Sequence, residues 1–61
     1  MKTNFDNVEI TNNESESRVN ITIGTACITV IRTNEGIIID TYCKNTLLDT
    51  MCVYNDELDI V

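Results

Sequence analysis

The chain has 61 residues, with three cysteines, no histidine, proline or tryptophan, and ten acidic against four basic side chains. A chain this short forms one small domain and buries only about 60% of its unfolded surface. The absence of histidine removes imidazole as a general base or zinc ligand. A net charge of −6, with scattered cations, excludes the basic patch that nucleic acids and anionic membranes require.

The composition is that of a β protein. Nine Ile, five Val and nine Thr residues supply β-branched side chains, which suit a pleated surface. Alanine, the best helix former, occurs once, at Ala26. We therefore expect residues 1–61 to form a single all-β domain.

Two strands are predicted in the N-terminal third. Residues 7–11 alternate Val8 and Ile10 with polar side chains, and the polar segment 12–17 is predicted to be a loop. Residues 18–23 alternate over six positions. Their apolar face carries Val19, Ile21 and Ile23.

The dipeptide Gly24-Thr25 has two interpretations. Glycine at the first central position suits a type II′ hairpin leading into a strand over residues 26–33. The alternative is one long strand over 18–33 that bends at Gly24. We favour the hairpin because it places apolar residues opposite one another. Its register pairs Ile21 with Ile28 and Val19 with Val30.

The segment Asn34-Glu35-Gly36 predicts a three-residue loop in which Gly36 is left-handed. It leads into a fourth strand over residues 37–43. The implied register pairs Ile31 with Ile39 and Cys27 with Cys43.

Residues 44–46 are predicted to connect this strand to a last strand over 47–54. A two-residue loop would set Asp40 directly opposite Asp49, and like charges across a ladder are destabilising. We therefore expect a three-residue loop. The five short strands predict an antiparallel meander, either a curled sheet or a tiny barrel.

The C-terminal tail, residues 55–61, is acidic. It is compatible with a further strand or with a short helical turn that begins at Asn55. Its carboxylates are the candidate surface for binding a basic protein partner: Asp56, Glu57 and Asp59.

Both faces of the last two strands are apolar, although a sheet with one solvated face should alternate. One face is predicted to mediate self-association as a homodimer or higher oligomer, because small chains often complete their core by association. That face comprises Ile37, Ile39, Leu47, Met51 and Val53. The opposite face comprises Ile38, Tyr42, Leu48, Cys52 and Tyr54.

The cysteines predict free thiols and no catalytic, cofactor or metal site. Cys27, Cys43 and Cys52 are odd in number and lack the CxxC spacing of zinc sites. The N-terminus has no apolar segment typical of a signal peptide, which favours the reducing cytoplasm. A nucleophilic cysteine needs a base or a local positive charge, and Lys44 is the one cation adjacent in sequence. We therefore expect a protein without enzymatic activity.

The size, the acidity and two C-terminal segments carry a family resemblance. The segments are residues 36–42, Gly-Ile-Ile-Ile-Asp-Thr-Tyr, and residues 54–58, Tyr-Asn-Asp-Glu-Leu. In these features the chain resembles small accessory proteins encoded by bacteriophages. The resemblance implies inhibition of a host defence or nucleic-acid enzyme, through occupation of a basic site in the host cytoplasm.

Overall fold

The computed structural model describes residues 3–59 and contains one antiparallel sheet of five strands. These are β1 (Asn7–Asn12), β2 (Ser17–Ile23), β3 (Ala26–Arg32), β4 (Gly36–Cys43) and β5 (Thr46–Tyr54). The order in the sheet follows the order in the chain. The predicted all-β meander is confirmed, and each strand boundary lies within one residue of its predicted position. The sheet is open, with β1 and β5 at its edges, so the alternative of a tiny closed barrel is wrong.

The β2–β3 connection is the predicted two-residue hairpin. Ile23 pairs with Ala26, and Gly24 has a φ of 55°. The main-chain N–H of Gly24 donates to Oδ2 of Asp6 at 2.6 Å, and the N–H of Asp6 donates to the carbonyl of Thr22 at 2.8 Å. The segment before β1 therefore stabilises the β2–β3 turn through the hydrogen bonds of Asp6.

The β3–β4 connection is one residue longer than predicted. Arg32 pairs with Ile37, so four residues, 33–36, lie between the last paired positions of the two strands. The Thr33 N–H donates to the carbonyl of Gly36 at 2.8 Å, and Thr33 Oγ1 accepts from the N–H groups of Glu35 and Gly36, each at 3.2 Å. Gly36 has a φ of 157°, far from the value near 57° of the left-handed helical conformation, and is the first residue of β4.

The longer loop shifts the β3–β4 register by one residue. Ile39 lies opposite Val30 and not Ile31, and Cys27 lies opposite Tyr42. The predicted pairing of Cys27 with Cys43 is therefore wrong. A shift of one residue exchanges the two faces of a strand, so this correction changes which apolar residues of β3 and β4 share a face.

The β4–β5 connection is one residue shorter than predicted. Lys44 and Asn45 have φ values of 52° and 64°, as in a type I′ two-residue turn. The register then shifts at a bulge, where Leu48 is the extra residue of β5. Because of that bulge, Asp40 lies opposite Thr50 instead of Asp49.

The tail continues as consecutive turns from residue 55 to residue 59. The Leu58 N–H donates to the carbonyl of Tyr54 at 3.1 Å, and the Asp59 N–H donates to the carbonyl of Asp56 at 3.3 Å. Asp59 has a φ of 58°, which a helix does not adopt. Neither the further strand nor the helical turn forms over these residues, and the remainder of the predicted tail lies outside the described residues.

The sheet is a single layer. No apolar side chain of residues 3–59 is buried, and Gly36 is the one buried residue among them. The radius of gyration is 13.2 Å, whereas a compact chain of this length has about 10.5 Å. Within the same residues, no helix has the length and apolarity that crossing a membrane requires.

Candidate functional site

One face of the sheet is apolar from edge to edge. Directly paired residues share a face, and one row of pairs crosses all five strands with an aliphatic side chain at every position. That row is Ile10, Val19, Val30, Ile39 and Met51. At the two edges, Ile10 is 70% exposed and Met51 is 55% exposed.

The neighbouring rows extend the same surface. These rows also contain polar residues: Thr41 and Asp49 follow Ile28 in one row, and Arg32, Ser17 and Asn12 precede Ile37 in the other. Their apolar members are Val8, Ile21 and Ile28 on one side and Ile37 and Val53 on the other. These residues and the central row are together called the apolar face. A groove of about 220 Å³ opens on it and is lined in part by Ile10, Val19, Val30 and Ile37.

Four of the five predicted self-association residues lie on the apolar face. Ile39 pairs with Met51, and Ile37 pairs with Val53. The fifth, Leu47, pairs with Tyr42 on the opposite face, because the bulge at Leu48 changes the alternation of β5. The prediction that Leu47 belongs to the same surface is therefore wrong.

Sequence reasoning missed the half of the apolar face that β1–β3 contribute. Alternation in residues 18–23 indicates the apolar side of β2. The register predicted for β3 and β4 places the apolar residues of β2 on one face of the sheet and Ile39 on the other. A four-residue loop at residues 33–36 would have joined the two sets into one surface.

The opposite face has a polar centre. Its middle row is Glu9, Asn20, Thr29, Asp40 and Thr50. Asp40 Oδ1 is buried against its neighbours and has no hydrogen-bond partner. This surface, the polar face, also carries Ile31, Ile38 and Cys52 beside the polar row.

One end of the sheet gathers most of the negative charge. In a five-stranded meander the β1–β2 loop, the β3–β4 loop and the tail after β5 all emerge at the same end. Six of the ten acidic residues lie in these segments, and all six are exposed. They define the acidic end: Glu14, Glu16, Glu35, Asp56, Glu57 and Asp59.

Hydrogen bonds of Asn55 join the tail to the β3–β4 loop. Its main-chain N–H donates to the carbonyl of Glu35 at 2.9 Å, and its Nδ2 donates to the carbonyl of Asn34 at 2.9 Å. Its Oδ1 accepts from Nη1 of Arg32 at 2.8 Å. These bonds place the start of the acidic tail beside Glu35.

The β1–β2 loop is ordered by Asn13 and lies beside the β3–β4 loop. Asn13 Oδ1 accepts from the Ser15 N–H at 2.9 Å, from Ser15 Oγ at 2.8 Å and from the Glu16 N–H at 3.0 Å. Glu16 and Arg18 form an exposed ion pair at 3.2 Å, which contributes little to stability. A polar groove of about 300 Å³ separates the two loops.

The acidic end contains the three predicted partner-binding residues and three that sequence reasoning left out. Asp56, Glu57 and Asp59 come from the tail, whereas Glu14 and Glu16 come from one loop and Glu35 from another. The signal was available in the sequence, because alternate connections of an up-and-down meander must emerge at the same end.

The cysteines lie apart and are free thiols. Cys43 pairs with Ala26, and its Sγ lies 3.6 Å from Oγ1 of Thr25. A hydroxyl group is neither a base nor a cation, so this contact does not activate the thiol. Among residues 3–59, no three His, Cys, Asp or Glu side chains are grouped to hold a metal ion.

No protein-family model, curated protein or solved structure matches the chain.

Proposed function

We propose that the chain is a non-enzymatic protein that binds a basic protein through the acidic end and so blocks or modulates that protein. The observation that carries the proposal is the collection of six exposed carboxylates from three chain segments at one end of the sheet. Complementary charge steers association and suppresses wrong partners.

The hydrogen bonds that order the loops of the acidic end support recognition by a pre-organised surface. Asn13 orders the loop that carries Glu14 and Glu16, and Asn55 joins the tail to the loop that carries Glu35. A pre-organised surface loses less conformational freedom on binding. Such a surface fits a groove lined with Lys and Arg, as in an enzyme that acts on nucleic acid. In a phage-type inhibitor this binding would take place in the host cytoplasm.

The test compares two variants with the same net charge. Asp56→Asn, Glu57→Gln and Asp59→Asn together neutralise the tail. Glu9→Gln, Asp40→Asn and Asp49→Asn together neutralise three carboxylates away from the acidic end. The immobilised wild-type chain and both variants are exposed to the same bacterial lysate at low salt, and the captured proteins are identified by mass spectrometry.

The proposal expects basic proteins that the wild type and the control retain and the tail variant loses. Their association rate should fall as salt is added, because exposed charges are screened. Equal capture by all three chains, or capture of no protein by the wild type, would contradict the proposal.

The absence of catalysis is part of the proposal and has its own test. A screen against hydrolase and transferase substrates should give no turnover that depends on a cysteine. Turnover that disappears in the Cys43→Ser variant would show that the chain is an enzyme.

A second candidate is a structural or assembly module, which the exposed apolar face favours. Such a module would use its sheet only to associate with copies of itself. Salt separates the two functions, because added salt weakens charge-steered binding but not the burial of apolar surface.

A further inference from the structure

We propose that a second copy of the chain covers the apolar face, so that two sheets stack face to face with their acidic ends pointing in opposite directions. This inference goes beyond the proposed function, because it concerns a different surface and does not depend on a basic partner.

The area to be covered matches that of a stable dimer. The chain exposes 5006 Å², whereas a compact monomer of 6.9 kDa exposes about 4,000 Å². The excess is thus about 1,000 Å². A standard protein interface removes about 800 Å² from each partner, so one face-to-face contact would give the chain the exposure of an ordinary folded protein.

The layer that covers the apolar face has to be present whenever the chain is folded. No apolar side chain of residues 3–59 is fully buried and most of those in β2–β4 are half-buried, so the isolated sheet has little core to offset the conformational entropy lost on folding. A foreign partner is available only in some conditions, whereas a second copy is made with every chain. Folding coupled to dimerisation is common in such homodimers.

The polar face and the sheet edges are poorer interfaces. Covering the polar face would remove water from Glu9 and Asp40, and Asp40 Oδ1 already lacks a hydrogen-bond partner. Pairing between edges β1 or β5 would lengthen the sheet but leave Val19, Val30 and Ile39 without a covering layer. Stacking through the apolar face leaves Glu9 and Asp40 on the outside of the dimer and covers one strand carboxylate, that of Asp49 at the β5 edge.

Charge determines the orientation of the two sheets. Stacking them in the same direction would bring both acidic ends, with six carboxylates each, to one end of the dimer. Opposite directions separate these ends along the 43 Å long axis of the chain, which is several times the Debye length of about 8 Å at physiological salt. A two-fold axis across the strands produces this arrangement and sets the central row of one copy against the same row of the other.

A matched pair of variants on β1 tests the interface. Ile10 lies on the apolar face and is 70% exposed in the single chain, whereas its neighbour Thr11 lies on the polar face. Ile10→Asp and Thr11→Asp introduce the same charge at adjacent positions of an edge strand. In an isolated sheet both substitutions would be tolerated, since both side chains reach solvent.

Sedimentation equilibrium at micromolar concentration should give a mass of two chains for the wild type and for Thr11→Asp. Ile10→Asp should raise the dimer dissociation constant at least about 100-fold, because the lost apolar contact occurs twice in a symmetric interface. If the acidic variant does not fold, Ile10→Thr takes its place and should raise the dissociation constant by a smaller factor.

A one-chain mass for the wild type would overturn the inference, as would a dimer that both substitutions weaken equally. A dimer that neither substitution weakens would show that the interface lies elsewhere. Binding of basic proteins is measured separately with the tail variant, whose mass should remain that of two chains, so failure of this inference is distinguishable from failure of the proposed function.

A distance measurement tests the orientation. Glu14→Cys is made in a chain with Cys27→Ser, Cys43→Ala and Cys52→Ser, and the single thiol is spin-labelled. Opposite orientation predicts about 30–40 Å between the two labels, from the strand rise and the spacing of stacked sheets, whereas the same orientation predicts about 15–20 Å. A short distance would overturn the proposed orientation.

Discussion

At Gly36 the main chains of β4 and β5 leave no space for a Cβ atom. Gly36 lies opposite Tyr54, and a Cβ atom built on it would overlap the carbonyl oxygen of Val53 and lie 2.8 Å from Cα of Tyr54. Both neighbours are main-chain atoms, which cannot move aside by changing a rotamer. The close approach of β4 and β5 therefore requires a residue without a side chain at this position.

Substitution of the two glycines should have unequal effects. Gly36→Ala should lower the free energy of unfolding by about 3 kcal/mol or more, because the overlap forces β4 and β5 apart. Gly24→Ala should cost only about 1–2 kcal/mol, since its Cβ meets nothing within 4 Å and the penalty comes from its φ of 55°. Urea unfolding followed by circular dichroism measures the free energy of unfolding of both variants. Equal losses would show that β4 and β5 do not approach closely enough at Gly36 to exclude a Cβ atom.

Asp40 places a carboxylate in the middle of the sheet without a partner for one of its oxygens. Its lateral neighbours in the row are Thr29 and Thr50, so threonine suits the position. We expect Asp40→Thr to raise the free energy of unfolding by about 1 kcal/mol, because an unsatisfied polar atom is removed and a β-branched residue is gained.

Glu9→Thr is the matched control, since it removes the same charge from an exposed position of β1 in the same polar row. It should change stability by no more than about 0.5 kcal/mol. Equal stabilisation by the two variants in urea would point to relief of the net negative charge, and not to Asp40 itself.

The bulge in β5 allows a two-residue turn between β4 and β5 without placing two carboxylates opposite each other. With a two-residue turn at Lys44 and Asn45, a regular ladder would place Asp49 opposite Asp40. The extra residue Leu48 moves Asp49 to Thr41 and brings Thr50 to Asp40. The like-charge argument correctly predicted that the two carboxylates are not paired, but not the means by which the chain separates them.

Deletion of Leu48 should therefore leave the sheet intact. The ladder would become regular, with Asp49 opposite Thr41 as before. The thermal midpoint should shift by less than about 5 °C, which corresponds to about 1 kcal/mol for a chain of this size. Deletion of Met51 is the control, because it shifts the rest of β5 by one residue and exchanges its faces. If both deletions abolish the cooperative transition, the bulge at Leu48 is required for folding.

The sequence predicts the strands well because their signals are local. Alternation in β2 and the glycine of the Gly24-Thr25 turn are decided within a few residues. The predicted β3–β4 register was wrong because it depends on one local contact and one contact distant in sequence. Thr33 closes the loop with its own hydroxyl, and Gly36 joins β4 through its approach to Val53 and Tyr54. Composition alone does not reveal either contact.

The meander gathers most of the negative charge at one end of the sheet and a continuous apolar row on one of its faces. Alternate connections of an up-and-down meander emerge at the same end of the sheet. Once five strands were assigned, the sequence was therefore sufficient to place Glu35 at the same end as Asp56. The extent of the apolar face was not predictable in the same way. It requires the correct register at every hairpin, and a slip of one residue divides the surface between two faces.

The single layer is the property that any account of this protein must explain. An isolated sheet with Ile10 and Met51 in water and no fully buried apolar side chain among the described residues has little apolar burial to offset the conformational entropy lost on folding. Stacking of two copies would supply the missing layer and leave both acidic ends free. A dimer with two separated binding surfaces would also engage clustered basic partners more tightly than either end alone.

The dependence of thermal unfolding on protein concentration shows whether a second copy supplies the missing layer. Folding coupled to dimerisation predicts that the midpoint rises steadily as the chain concentration increases from about 1 to 100 μM, because mass action favours the dimer. A cooperative transition whose midpoint is the same across this range would contradict the account and show that one chain is stable by itself.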